Sequence, residues 1–210
     1  MKLAVFGASG ATGRLLVEQA CAAGHQVTAV VRDPDRLRRS HPLLTVLCAD
    51  VTDPAQIGPA VEDADAVVST VGPGAVRAPT TVRADAVTGI IRAMHSGSAR
   101  RLIVVTAGGI VTDGDGPLTR LLLKPILGRV LRHSYADMRR TETIVRDSGL
   151  AWTIVRPPRL TDGPYTGTYR RAVNRNVRGG LSISRADLAD CILRCAADRD
   201  LVNAAVAIGR

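Results

Sequence analysis

The chain has 210 residues, of which 46% are hydrophobic and 22% are charged, and its formal net charge is +9. This hydrophobic content excludes a disordered chain. No run of 18 apolar residues is present, which excludes a membrane-spanning helix. The length favours one domain over residues 1–210, and the first apolar run is too short for a signal peptide. We therefore expect a cytoplasmic protein.

The basic excess has two interpretations, because only Lys2 and Lys124 of the 28 basic residues are lysines. It reflects either a compositional bias towards Ala, Arg, Gly and Val, or an anionic partner. The arginines are spread along the chain and aromatic residues make up only 2%. Such a chain offers no stacking platform for a nucleic acid. We expect a small-molecule substrate, with an anionic one as the sharper alternative, and neither nucleic acid nor membrane as partner.

The cysteines favour a structural interpretation. They form no C-x-x-C pair, and the histidines have no metal-ligand spacing. Cys191 and Cys195 lie four apart on a predicted helix. The sequence thus predicts no metal site and four reduced, buried thiols.

Short β-branched runs alternate with longer Ala- and Leu-rich stretches along the chain. The predicted strands are Lys2–Phe6, Gln26–Val31, Leu43–Cys48, Ala66–Thr70, Arg101–Thr106 and Trp152–Val155, with a last edge strand at Ala204–Ile208. The predicted helices are Thr12–Ala23, Ala55–Val61, Thr81–His95, Ala136–Ser148 and Arg185–Ala197, with N-caps at Asp53 and Ser184 and a stop at Gly149. The alternation predicts a doubly wound, mostly parallel sheet in three α/β/α layers.

Three stretches have no regular pattern. Ala107–Pro117 follows the fifth strand and borders the edge where such sheets bind ligands. Tyr165–Gly180 is either a substrate-covering loop or a surface excursion, within a small covering segment at about 157–185. Leu118–Leu131 is apolar but interrupted by Pro125, and could be core, a lid or an oligomer contact.

The strongest motif is Gly7-Ala8-Ser9-Gly10-Ala11-Thr12-Gly13, between the first strand and the first helix. Gly7 permits a sharp turn, Gly10 lets a pyrophosphate approach the backbone, and Gly13 lets the helix pack closely on the strand. The helix N-terminus then offers N–H groups to the phosphates, with the hydroxyls of Ser9 and Thr12 nearby. The motif predicts a dinucleotide-binding Rossmann fold.

The spacing G-x-x-G-x-x-G resembles that of the atypical short-chain dehydrogenase/reductases, in particular the NAD(P)H-binding branch with the biliverdin-IXβ/flavin reductases. The resemblance extends over nearly the whole chain, through Val30-Val31-Arg32-Asp33-Pro34, Ala49-Asp50-Val51, Ser148-Gly149-Leu150 and Ile154-Val155-Arg156-Pro157-Pro158. It implies that Asp50 and Val51 contact the adenine. It also implies that Val71, Gly72, Thr106, Pro157 and Pro158 line the rest of the cofactor.

The residue after the second strand indicates which cofactor is bound. An acidic side chain there would accept hydrogen bonds from a free ribose 2′-hydroxyl, whereas an arginine pairs with a 2′-phosphate. Arg32 occupies this position and Asp33 follows it. We favour NADP(H) over NAD(H), because the residue nearer the strand end usually points at the ribose.

The candidates for catalysis are Tyr135, Arg159 and Thr106. Tyr135 precedes Arg139 by four residues, as tyrosine precedes lysine in the classical superfamily members, but arginine cannot relay a proton. Ala107 and Arg159 stand where the resemblance leads us to expect serine and histidine. Arg159, and also Arg156, could bind an anionic substrate at the crevice or pair with a carboxylate such as Asp162.

The leading hypothesis is therefore a reductase that transfers hydride between NADPH and a conjugated or carbonyl acceptor, such as a flavin or a quinone. The second is a non-catalytic NADP(H)-sensing regulator, which the departures from the catalytic pattern favour. An epimerase or dehydratase of nucleotide-linked sugars ranks lower, because only about 50 residues follow the sixth strand.

Overall fold

Strands and helices alternate along the protein in a computed structural model, which describes residues 1–37, 39–73, 79–117, 120–121 and 124–210. The strands are β1 (Lys2–Phe6), β2 (Gln26–Val31), β3 (Leu44–Cys48), β4 (Ala66–Ser69), β5 (Arg101–Val105), β6 (Ala151–Arg156), β7 (Arg159–Thr161), β8 (Arg170–Val173), β9 (Ser182–Ser184) and β10 (Ala204–Gly209). The helices are α1 (Ala11–Ala22), α2 (Pro54–Val61), α3 (Val82–Ser96), α4 (Lys124–Val130), α5 (Arg132–Arg146) and α6 (Arg185–Ala197).

The main sheet has the strand order β3-β2-β1-β4-β5-β6-β10-β8. Its strands pair in parallel except for β8, which runs antiparallel to β10. The two short strands β7 and β9 pair in parallel beside it. The predicted doubly wound, mostly parallel sheet is confirmed. The prediction that Ala204–Ile208 forms an edge strand is wrong, because β8 covers the outer side of β10.

Helices cover both faces of the sheet, as the residues of β1 show, because they are buried on both sides. Leu3 and Val5 belong to the apolar cluster under α1 and α6. Ala4 and Phe6 belong to the opposite cluster, under α2, α3 and α5. Side chains of a strand alternate between faces, and here both faces are apolar because both are buried. The three-layer arrangement is therefore confirmed.

Local signals set several helix ends. Asp53 caps α2 by accepting a hydrogen bond from the N–H of Ala55, and Ser184 caps α6 by accepting one from that of Asp187. Gly149 adopts φ +68° just beyond α5, which favours glycine. These three predictions are confirmed.

Two helices differ from expectation. α5 begins at Arg132 rather than Ala136, which places Tyr135 inside its first turn. α4 occupies part of the unassigned stretch 118–131, and Ile126 and Val130 on it are exposed. No helix in the described ranges has both the length and the apolar character needed to cross a membrane.

The cysteines are free thiols, but one prediction about them is wrong. Cys21, Cys191 and Cys195 are buried, whereas Cys48 is exposed at the end of β3, the strand at the sheet edge. The Sγ atoms of Cys191 and Cys195 lie 4.0 Å apart on one face of α6.

Candidate functional site

The glycine-rich turn has the close packing that its spacing predicts. Gly7 adopts φ +78°, a conformation that L side chains rarely adopt, and its carbonyl accepts the N–H of Gly10 at 3.0 Å. A β-carbon on Gly13 would lie 2.8 Å from the Cα of Ala8 and would overlap the carbonyl oxygen of Gly7. A side chain at position 13 would therefore force α1 away from β1.

The N-terminus of α1 is open to an anion. Gly10 is its N-cap and provides no side-chain hydrogen bond, and the first turn contains no acidic residue. Gly10 and Ala11 are exposed, and Ser9 and Thr12 are half-buried. The first N–H groups of a helix have no partner within it and attract negative charge. This end of α1 therefore fits the pyrophosphate of a dinucleotide.

The end of β4 holds the turn in place. The hydroxyl of Thr70 donates to the carbonyls of Phe6 and Gly7, at 3.0 and 3.3 Å. A β-carbon on Gly7 would lie 2.9 Å from the backbone of Thr70 and Val71. Val71 therefore lies beside the glycine-rich turn, and Gly72 follows it, at the edge where the cofactor is expected.

The two residues after β2 differ in how they are engaged. The carboxylate of Asp33 accepts the N–H of Asp35 at 3.1 Å and caps the 3-10 turn Pro34–Arg36. The side chain of Arg32 is exposed. Arg32 therefore has the freer side chain of the two.

Asp50 forms a turn at the end of β3. Its Oδ1 accepts both the N–H and the hydroxyl of Thr52, at 2.9 and 2.8 Å. These hydrogen bonds, with a smaller contribution from Arg32, lower the pKa of the Asp50 carboxyl. Asp50 is thus ionised and exposed at this edge, and Val51 next to it is half-buried.

Thr106 lies inside a buried polar network rather than open to the crevice. Its hydroxyl donates to Oε1 of Glu142 at 2.9 Å. The same carboxylate accepts hydrogen bonds from Nε and Nη2 of Arg156, at 2.8 and 2.5 Å. Arg156 and Glu142 are 6% and 5% exposed. Of the two alternatives for Arg156, an anion ligand at the crevice or a partner for a carboxylate, the structure shows the second, because its guanidinium is paired with Glu142 inside the protein.

Tyr135 is buried against the loop after β5. It is 7% exposed and packs with Ile110 and Met138. Burial raises the pKa of its phenol, and the nearby Arg139 lowers it by less, so the phenol keeps its proton at neutral pH. The sequence predicts Tyr135 either as a catalytic acid whose pKa Arg139 lowers or as an exposed residue. The structure shows a buried phenol whose pKa is set mainly by burial.

The residues after β6 lie in different environments: Pro157 contacts the loop after β5, whereas Arg159 faces solvent. The carbonyl of Pro157 accepts the N–H of Gly108 at 2.8 Å, which joins the loops after β5 and β6. Pro158 is half-buried and Arg159, the first residue of β7, is exposed. Asp162 pairs with Arg185 at 2.5 Å rather than with Arg159.

Sequence reasoning missed a polar cluster that joins the irregular segments. Nδ2 of Asn176 donates to the carbonyls of Gly108 and Val111 and to Oδ1 of Asp115, at 3.2, 3.0 and 3.0 Å. The ammonium of Lys124 also contacts these carbonyls and this carboxylate. The loop after β5, α4 and the 165–180 excursion therefore meet at one point. A lysine and an asparagine in stretches without a regular sequence pattern give no local signal of this.

A groove of about 940 Å³ lies elsewhere, along the outer sides of α1 and α6. Arg14, Leu15, Tyr165 and Leu193 are among its lining residues. Only its end near Ala11 approaches the phosphate turn. The chemistry assigned above thus belongs to the open carboxyl edge of the sheet, not to this groove.

A family model described as NAD(P)H-binding matches residues 7–199. The chain belongs to the NAD(P)H-binding family. The uncharacterized protein YwnB of Bacillus subtilis is 26% identical to it over 199 residues, which cover 92% of this chain and 91% of YwnB.

Solved structures share the fold of this NAD(P)H-binding protein. A short-chain dehydrogenase/reductase of Veillonella parvula in complex with NADP superposes with a TM-score of 0.79 at 20% identity, over 100% of this chain and 94% of the other. A proposed NADH-flavin reductase of Streptococcus pneumoniae gives a TM-score of 0.78 at 23% identity, over 100% and 99%. The predicted resemblance is confirmed at the level of the family and the fold.

Proposed function

We propose that this NAD(P)H-binding protein is an NADP(H)-dependent reductase that transfers hydride between NADPH and a small conjugated or carbonyl acceptor, such as a flavin or a quinone. The observation that carries the proposal is the open phosphate turn at Gly7–Gly13, which leads directly into α1. The bound nicotinamide would supply the hydride, and the protein would supply position and a proton.

The preference for NADP(H) is supported by the environment of Arg32. The carboxylate of Asp33 already accepts a hydrogen bond at Oδ1 from the following turn, which leaves it less capacity to accept one from a ribose 2′-hydroxyl. An exposed guanidinium can pair with a 2′-phosphate through two parallel hydrogen bonds. The structural relative from Veillonella parvula was solved with NADP.

The choice of acceptor is supported by what the edge provides. A protonated phenol at Tyr135 suits an acceptor that takes up hydride and then a proton. Thr106 has its hydroxyl committed to Glu142, which leaves little other acid–base machinery near it. Flavins and quinones need little such help, because their oxidised rings are intrinsically reactive. One relative of the same fold carries the name of a flavin reductase.

The test is NADPH oxidation by the purified protein, with flavin mononucleotide, a small quinone, an aldehyde and a ketone as acceptors. We expect turnover with at least one of the first two. Tyr135→Phe should lower kcat by about 100-fold if the phenol is the proton donor. Tyr165→Phe is the matched control, because Tyr165 is 55% exposed outside the edge.

The same preparation distinguishes the alternative of a regulator. Tight NADP(H) binding with no oxidation by any acceptor would overturn the reductase proposal. A sensor of NADP(H), acting through a protein partner, would then be the better account.

A further inference from the structure

Arg83 places a guanidinium at the carboxyl edge, beside the segment expected to line the cofactor. A β-carbon on Gly72 would lie 3.3 Å from Nη2 of Arg83, 3.8 Å from Cζ and 3.9 Å from Nε. The guanidinium therefore flanks the backbone of Gly72, one residue beyond Val71. Val71, the residue before Gly72, packs against Gly7 of the phosphate turn.

Residues of α5 hold Arg83 from one side. Its Nη1 lies 3.3 Å from Oγ of Ser134 and 3.5 Å from Oδ2 of Asp137. The Asp137 carboxylate also accepts the backbone N–H groups of Arg83 and Ala84, at 3.2 and 3.1 Å. Asp137 therefore anchors both the start of α3 and one end of the guanidinium.

Within the described ranges, the other two nitrogens of the side chain are engaged differently from Nη1. Among the described residues, none accepts a hydrogen bond from Nε or Nη2 of Arg83. The side chain is 14% exposed, so it is fixed but still reachable. Nε and Nη2 are the pair of donors that bind a carboxylate or a phosphate through two parallel hydrogen bonds.

We propose that Arg83 recognises an anionic group of the acceptor, a carboxylate or a phosphate, and so determines acceptor specificity. This inference rests on the proposed function. Arg156 is paired with Glu142, and Arg159 is exposed with no hydrogen bond from its side chain to any described residue, so neither provides a comparable site.

The position of Arg83 favours the acceptor over the cofactor as its ligand. The pyrophosphate fits the N-terminus of α1, and a 2′-phosphate fits Arg32. Arg83 instead is held by Ser134 and Asp137, which flank Tyr135 in the first turns of α5. The guanidinium and the phenol therefore come from one junction, that of α3 and α5.

The test compares flavin mononucleotide with riboflavin, which share the ring system and differ by a phosphate. We expect the wild-type protein to prefer flavin mononucleotide in kcat/KM. Arg83→Met should lower that preference by at least about tenfold, the factor of one charge-assisted hydrogen bond. Arg83→Lys should lower it less, because an ammonium keeps the charge but not the paired donors. Arg92→Met, an exposed arginine on the same helix, is the matched control.

Binding measurements separate this inference from the proposed function. Quenching of flavin fluorescence by the protein loaded with NADP⁺ reports the same preference without turnover. If no variant turns over but Arg83→Met removes the preference in binding, the reductase proposal fails, whereas the recognition of the anionic group by Arg83 stands for a flavin that is bound and not reduced. An unchanged preference in both Arg83 variants overturns it. So does a loss of NADPH affinity equal to the loss of preference, since Arg83 would then contact the cofactor. If Arg83→Met does not fold, Arg83→Lys decides alone.

Discussion

The phenol of Tyr135 lies directly against the backbone of Gly109. A β-carbon at residue 109 would sit 2.8 Å from Cζ of Tyr135 and would overlap its hydroxyl. The contact joins the first turn of α5 to the loop after β5. The absence of a side chain at position 109 is therefore what allows the phenol to reach this edge of the sheet.

Gly109→Ala should displace Tyr135. We expect a loss of about 1–3 kcal/mol in the free energy of unfolding, the range for inserting a methyl group into a packed site. If Tyr135 donates the proton, kcat should fall with little change in the Kd for NADPH. Gly116→Ala is the control, because a β-carbon there meets nothing within 4 Å. Equal kcat values for the two variants would show that the position of Tyr135 does not matter for turnover.

Gly13→Ala should disrupt the phosphate turn. The new β-carbon would overlap the carbonyl of Gly7 and crowd Ala8, both of which are backbone atoms that cannot move alone. We expect a lower melting temperature and NADPH binding weakened by more than tenfold in calorimetry. Gly128→Ala, inside α4 with nothing within 4 Å of its β-carbon, should leave binding unchanged and raise stability by about 0.5–1 kcal/mol. Wild-type NADPH affinity in Gly13→Ala would contradict the assignment of the turn.

Local signals in the sequence predict much of this fold, and long-range pairing explains what they miss. Gly7, Gly13 and Gly149 take positions that steric limits reserve for glycine, and parallel strands buried on both faces leave continuous apolar runs. The three-residue strands β7 and β9 pair only with each other, and β8 pairs with β10 more than 30 residues later in the chain. Such short segments carry no period of their own, so they were not predicted.

The candidate site divides in the same way. The turn at Gly7–Gly13 is continuous in sequence, and its spacing reveals it. Arg83 and Asp137 lie 54 residues apart, and only the packing of α3 on α5 brings them together. Two roles stay open for Arg156 in the sequence, because an arginine at the end of a strand is as compatible with a crevice as with a buried partner such as Glu142.

Glu142→Gln should cost more stability than removing the whole ion pair. Glu142 and Arg156 are both buried, and a guanidinium left without its carboxylate is destabilised by about 3–5 kcal/mol. Glu142→Gln with Arg156→Met should lose less, because no unpaired charge remains inside. Urea unfolding of the two single variants and the double variant measures this. A double variant less stable than Glu142→Gln would contradict an energetic role for the pair.

Protonation of the Asp187 carboxyl should lower the free energy of unfolding in acid. Burial by itself would raise the pKa of this carboxyl, but hydrogen bonds from Thr166, Gly167 and Ser184 outweigh it and lower the pKa. A carboxyl whose pKa is lower in the folded state than in the unfolded state stabilises the fold. This contribution is complete above the unfolded pKa of about 3.9 and is lost as the pH falls from there through the folded pKa. Urea unfolding between about pH 3 and pH 6 should therefore show a smaller acid loss in Asp187→Asn than in wild type. Identical pH slopes would contradict the prediction. The exposed Asp63→Asn is the control.

Arg32 should set the choice between the two nicotinamide cofactors. Arg32→Gln removes the charge that would pair with a 2′-phosphate, and a hydrogen bond to a charged group contributes about 1.5–3 kcal/mol. We expect NADPH binding to weaken by at least about tenfold and NADH binding to change little. Arg36→Gln is the matched control, because Arg36 is exposed in the next turn and tests the effect of general positive potential. Calorimetry with NADPH, NADP⁺, NADH and NAD⁺ gives all the affinities. If the two variants weaken NADPH equally, the whole basic segment attracts the phosphate and Arg32 has no specific contact. If Arg32→Gln leaves the ratio of NADPH to NADH affinity unchanged, the cofactor preference comes from another part of the site.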